Sequence, residues 1–203
     1  MGTRRLALAP WALLCLACGA GAPTPHQMAE TSRGAMPRCD AGDVEACRVA
    51  CESGGSNKSC RRACDAGHGA ACGALASRLE REQDADDAEA PVARIAPEEP
   101  EVVTALFVRA CEGGHGPSCL QAGGRILNGV GRAHRPSSAA VDMLKRGCER
   151  LDHADSCCAM AELNQRLAES RQPNFITDFR AEAAGFRALA RAKGGECPDA
   201  PAP

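Results

Sequence analysis

The chain has 203 residues, a formal net charge of −2, 2% aromatic residues and fourteen cysteines. With no Tyr, one Trp and four Phe, it cannot draw its stability from large aromatic side chains, so its core must be built mainly from Ala, Leu, Val and Met. The near-neutral charge, with no Lys/Arg stripe interleaved with aromatics, argues against nucleic acid as a partner.

Arg4 and Arg5 precede an apolar run from Leu6 to Ala17. A basic start and a short apolar centre read as an export signal, too short to span a bilayer as a mature helix. The run ends in Leu14-Cys15-Leu16-Ala17-Cys18-Gly19, which resembles a bacterial lipoprotein cleavage site. That resemblance implies removal of the segment 1–18 up to Cys18, lipidation of Cys18, and membrane attachment by the lipid anchor only. Plain secretion, with cleavage near Ala20 or Ala22, is the alternative. Either route exports the chain, to the periplasm or the outer membrane, where thiols oxidise and disulfides persist.

Residues 19–38 are small, polar and Pro-bearing, and read as a flexible tether. A repeated pattern begins at Cys39. Five times the chain writes Cys, seven or eight residues, and Cys again: Cys39 and Cys47, Cys51 and Cys60, Cys64 and Cys72, Cys111 and Cys119, Cys148 and Cys157. An acidic residue follows the first Cys of every pair, and Ala or Ser precedes the second. Setting aside Cys15 and Cys18, these pairs use ten of twelve cysteines and leave Cys158 and Cys197 for a sixth bridge. Within 39–72 the six cysteines allow fifteen connectivities, and neighbour pairing is a preference among them. Structural zinc sites space paired ligands two to four residues apart, so these gaps suit disulfides; no metal and no cofactor is expected.

From 39 to 82 the pattern predicts short helices over 43–53, 56–65 and 69–82, broken by Gly-rich turns. Cys47 and Cys51, like Cys60 and Cys64, stand four apart and so share a helix face, which lets one helix be stapled to its predecessor and its successor. Residues 83–100 carry three Pro and an acidic excess, and read as a solvated insertion. Further helices are predicted over 98–112, 118–128, 136–151, 154–170 and 174–193, and 198–203 reads as a disordered tail. No stretch alternates like a strand. The predicted fold class is all-α.

Leu106-Phe107-Val108-Arg109-Ala110-Cys111, then Cys119 with Gly123 and Gly129-Val130-Gly131, then Ala140-Val141-Asp142-Met143-Leu144-Lys145-Arg146-Gly147-Cys148 together resemble the Sel-one-like repeats, relatives of tetratricopeptide repeats, in their cysteine-rich bacterial branch. Cys111 and Cys148 are thirty-seven residues apart, close to one such repeat. The resemblance is specific over 104–170, within a repeat region 101–197; segment 39–82 is a condensed version. It implies helix-turn-helix units stacked as a short α-solenoid, with a bridge from the last turn of one helix to the first turn of the next. Ile126 stands near the family's usual Tyr, and Lys193 where a cysteine would fall.

Such stacks present an extended binding surface. The implied partner is another envelope protein or a cell-wall component, with no catalytic residue assigned. The runner-up is a β-lactamase-like or peptidoglycan-active hydrolase, a label given to some cysteine-rich members of the family. The chain has no Ser-x-x-Lys, no Lys-Thr-Gly and no His-x-His-x-Asp, and no hydroxyl beside a base can be nominated. His68, His115 and His153 recur four or five residues after the first Cys of a pair. They read as solvated turn histidines, with a metal ladder along one edge as the competing reading. Of adjacent Cys157 and Cys158, one reads as structural and the other as bridging elsewhere, with redox exchange of partners as the competing reading; the mature chain has no Cys-x-x-Cys of the thiol-oxidoreductase kind.

Overall fold

The structure is a computed structural model, and it describes residues 25–86, 100–130, 137–170 and 178–198. Among the described residues the fold is all-α, with no strand. The helices are α1 (Pro25–Asp40), α2 (Val44–Glu52), α3 (Asn57–Asp65), α4 (Gly69–Asp86), α5 (Pro100–Glu112), α6 (Gly116–Leu127), α7 (Ser137–Lys145), α8 (Ala154–Glu169) and α9 (Phe179–Ala192). A π-helical turn, Arg146–Arg150, continues α7. Each helix packs against the next, α2 also meets α4, and α6 also meets α8. The result is a disulfide-stapled helical stack.

One turn design joins the helices. Two residues at the end of a helix close a Schellman-type turn, as where His115 N–H donates to Ala110 C=O at 2.9 Å and Gly114 N–H to Cys111 C=O at 3.0 Å. That turn needs a left-handed residue, which is Gly42, Gly54, Gly67 and Gly114 in the first four copies, with φ of 98°, 89°, 93° and 90°. In the fifth copy Asp152 takes the place at φ 52°; Asp is among the few residues with a side chain that tolerate it.

The next helix starts at once. Asp43 and Ser56 cap α2 and α3 through their side chains, and Cys47 and Cys60 return bonds to the carbonyls of those caps. The second cysteine of every pair falls four residues past the cap position (43, 56, 68, 115, 153), which places it in the first turn. The two copies with an eight-residue gap absorb the extra residue differently. Gly55 follows Gly54 in one, and in the other the helix widens into the π turn holding Cys148.

A second recurring device ties the ends of four helices, α1, α2, α3 and α5, each to a helix two places on. Arg62 of α3 donates to the Cys39 carbonyl at 2.7 Å, Arg78 of α4 to that of Cys51 at 2.8 Å, Arg109 of α5 to that of Asp65 at 3.1 Å, and Arg146 to that of Glu112 at 2.9 Å. These carbonyls lie at helix C-termini, where the backbone lacks internal partners and the helix dipole favours a cation. The acidic residue after the first cysteine joins in: Asp40 pairs with Arg62 and Lys58, and Asp65 with Arg109.

The core is made of small side chains. Ala50, Ala63, Ala71, Ala76, Ala122 and Ala140 are fully buried beside the cystines, and Phe107, Leu75, Ile126, Leu144 and Val103 are the largest buried groups. One apolar cluster runs from Ala35 to Ala140, and a second joins Leu144, Met160, Phe186 and Ala190.

The sequence-based boundaries need correction at several places. The tether expected over 19–38 is helical from Pro25, because Ala35 and Cys39 bury against the stack with Met36 packed beside them, and tertiary packing rather than composition sets the state of a short segment. Pro25 occupies the first helical position, where its missing N–H costs nothing. Helix α4 continues to Asp86, four residues into the expected insertion. Aligned on its turn at Gly194, the final copy puts Arg191, not Lys193, in the place of the first cysteine. The export signal, Cys18, residues 19–24, the expected insertion over 87–99, residues 131–136, residues 171–177 and the expected tail over 199–203 lie outside the described residues.

Candidate binding groove

The structure joins Cys39–Cys47, Cys51–Cys60, Cys64–Cys72, Cys111–Cys119 and Cys148–Cys157, with Cα atoms 4.5 to 4.7 Å apart. Cys158 and Cys197 form a sixth bridge, with Cα atoms 5.1 Å apart. All ten cysteines of the first five bridges are at most 2% exposed. No sulfur among them is left as a ligand or nucleophile.

The three turn histidines precede helices α4, α6 and α8. The His115 ring lies 2.7 Å through Nδ1 from Ser118 Oγ, and the His153 ring 2.9 Å through Nδ1 from Ser156 Oγ. Both serines are buried, and the two rings themselves are half-buried. Gly73 of α4 makes the room: a Cβ there would stand 2.7 Å from His115 Nδ1. Among the described residues no group of three or more His, Cys, Asp or Glu is placed to hold a metal ion.

Burial first, and then the charge of His153, hold His115 below its ordinary pKa. The folded chain therefore prefers neutral His115, while the unfolded chain takes up the proton at the usual value of about 6.5. Stability that His115 confers above that value is lost as pH falls through and below it. The melting temperature is thus expected to drop between about pH 7.5 and 5, and His115→Asn, which keeps a polar side chain without a titrating ring, to flatten that drop. A profile unchanged by the substitution would remove His115 from the account.

A surface concavity lies between α6, α7 and α8, with a volume of about 230 Å³. Helix α6 supplies Leu120, Gly124 and Leu127, and Asn128 follows at its C-terminal cap; α7 supplies Leu144; α8 supplies Ala159, Glu162, Leu163 and Arg166. The helical spacing explains the set: 120, 124 and 127 recur along one face of α6, and 159, 163 and 166 along one face of α8. Gly124 keeps the wall low, since a Cβ there would meet nothing within 4 Å. Leu127 on the wall is 37% exposed, and Leu167, one residue past Arg166, is 42% exposed. Glu162 and Arg166 pair with each other at the rim.

Set against protein-family models, curated proteins and solved structures, the chain matches none of them. The groove rests on its own chemistry. It combines apolar floor and walls with one paired acid and base, the composition of a surface that binds by burial and is oriented by a few polar groups. Sequence reading did not single out Leu120, Leu127 or Leu163. Their signal was apolar residues standing off the cysteine-bearing face of α6 and α8, at spacings that align with each other.

The six disulfides fit an oxidising environment outside the cytoplasm. Among the described residues no helix is long and apolar enough to cross a membrane.

Proposed function

We propose that this chain is a non-catalytic, exported helical-repeat protein of the bacterial envelope, held to the membrane by lipid on Cys18, which binds another envelope protein or a cell-wall component. The observation that supports this reading is the apolar groove between α6 and α8, with Leu127 left partly exposed on its wall. Burying one such leucine is worth roughly 1.5 to 3 kcal/mol, enough to matter in a small contact. A binding role of the kind implied by the likeness to Sel-one-like repeats asks only for a rigid scaffold and a side on which to dock. The stapled turns supply the rigidity.

The test is capture from envelope extract on the oxidised, immobilised protein, compared with Leu127→Glu. Leu127 is already part-exposed, so the variant is expected to melt as the parent does while losing at least about tenfold of its captured partner, the loss of roughly one buried leucine with its added charge. Equal capture by both proteins would remove the groove from the proposal. Hydrolysis of a chromogenic β-lactam by the oxidised protein, abolished by a point substitution that leaves the fold intact, would replace it with the hydrolase reading.

A further inference from the structure

The six bridges fall into two kinds. Five close turns between successive helices, span 8 or 9 residues and bury both sulfurs completely or nearly so. The sixth, Cys158–Cys197, spans 39 residues. Its two cysteines are only part-buried, although Cys157, the immediate neighbour of Cys158, is completely enclosed. Attack on a disulfide requires a thiolate to approach along the sulfur–sulfur axis, so access ranks the bridges.

The position of this bond gives its opening a consequence. Cys158 lies near the start of α8, and Cys197 lies past the end of α9. Helix α9 packs chiefly on α8, through Ala183, Phe186 and Ala190. The rest of its anchorage is the turn after it, where Gly195 lies against Ala154 and the Lys193 ammonium pairs with Asp152, whose carboxylate is largely exposed. No second bridge holds α9, whereas α2 and α3 are each stapled at both ends.

We propose that Cys158–Cys197 is a redox-modification site whose reactant is a dithiol, and that its opening releases α9 from α8 while the other five bridges stay closed. A dithiol's thiolate attacks one sulfur of the bond, forming a mixed disulfide and freeing the other cysteine. The donor's second thiol then displaces the first cysteine. The donor leaves as a disulfide, oxidised by two electrons, and Cys158 and Cys197 each end as a protonated thiol. Released, α9 uncovers the α8 surface around Met160 and Ala161, and the molecule gains an apolar face that its oxidised form hides.

The test uses the full oxidised chain, exposed to dilute dithiothreitol without denaturant, quenched with iodoacetamide at intervals and mapped by peptide mass spectrometry. Cys158 and Cys197 are expected to be labelled at least about tenfold faster than any of the ten buried cysteines. Hydrogen exchange read on the same samples is expected to quicken over 179–192 and to stay unchanged over 44–127. A Cys158→Ser/Cys197→Ser chain, which keeps the other five bridges, should show that exchange pattern with no reductant present. Labelling of any buried pair as early as Cys158 would overturn the assignment of the site. Full protection of 179–192 in the serine variant would overturn the release of α9.

Discussion

Complete reduction and alkylation of the cysteines is expected to abolish the cooperative thermal transition of this chain. In the chain-entropy account, closing a loop of about nine residues stabilises a fold by roughly 2 to 3 kcal/mol, and the longer loop of the sixth bridge by about 4 kcal/mol. Together the six exceed the net stability of about 5 to 15 kcal/mol typical of a domain. The core cannot take over their share, because most of its buried positions are Ala or Cys and, among the described residues, Phe107 is the only fully enclosed aromatic. Circular dichroism should show a sharp melt for the oxidised protein and a shallow, non-cooperative loss of helix for the reduced one. A reduced chain melting within a few degrees of the oxidised form would mean that Ala and Leu packing alone suffices.

Phe107→Ala is expected to cost about 3 to 5 kcal/mol, the usual range for emptying a buried aromatic site. The position is critical because no disulfide joins α4 to α5: the bridges stop at Cys72 and resume at Cys111. That junction is held by packing instead, with Phe107, Val103 and Leu75 in one cluster. Gly69 and Gly113 also approach so closely that a Cβ on Gly69 would stand 2.6 Å from the Gly113 carbonyl oxygen. A polar tie spans the same place. Arg125 of α6 reaches Thr104 at 2.9 Å, Pro100 at 3.1 Å and Glu80 of α4, with its guanidinium 6.0 Å from the Phe107 ring centre. Guanidinium denaturation of the oxidised protein measures the loss. A cost below about 1 kcal/mol, that of an ordinary surface change, would show that the junction draws its strength from elsewhere.

What the sequence made legible follows from how local each signal is. The cysteine pairs were readable because each bridge closes within one turn, where spacing and the left-handed glycine go together. Helices α2 to α6, α8 and most of α9 were readable from their turns and apolar faces. The helix at 25–40 was not, because its order comes from Ala35 and Cys39 burying against residues further along the chain, and its own composition argues for a tether. The π turn was hidden in the same way: an eight-residue gap says that a residue must be absorbed, and not whether a second glycine or a widened helix absorbs it. The arginine ties had a trace that went unread, an Arg two residues before Cys64, Cys111 and Cys148. The groove was least visible, because it is made by two helices that meet only once the stack has formed.

The long bridge also governs how the molecule bears tension. If α1 is drawn toward a membrane while a bound partner pulls at the C-terminal end, load entering at Cys197 crosses directly to Cys158 and bypasses the intervening backbone. Helix α9 and nearly all of α8 then carry no strain, and the stretch falls on the α4–α5 and α6–α7 seams, neither of which has a covalent shunt. Cleaving that one bond would hand the slack of the whole loop to the pull, so the oxidation state of two sulfurs sets how far the molecule can be extended.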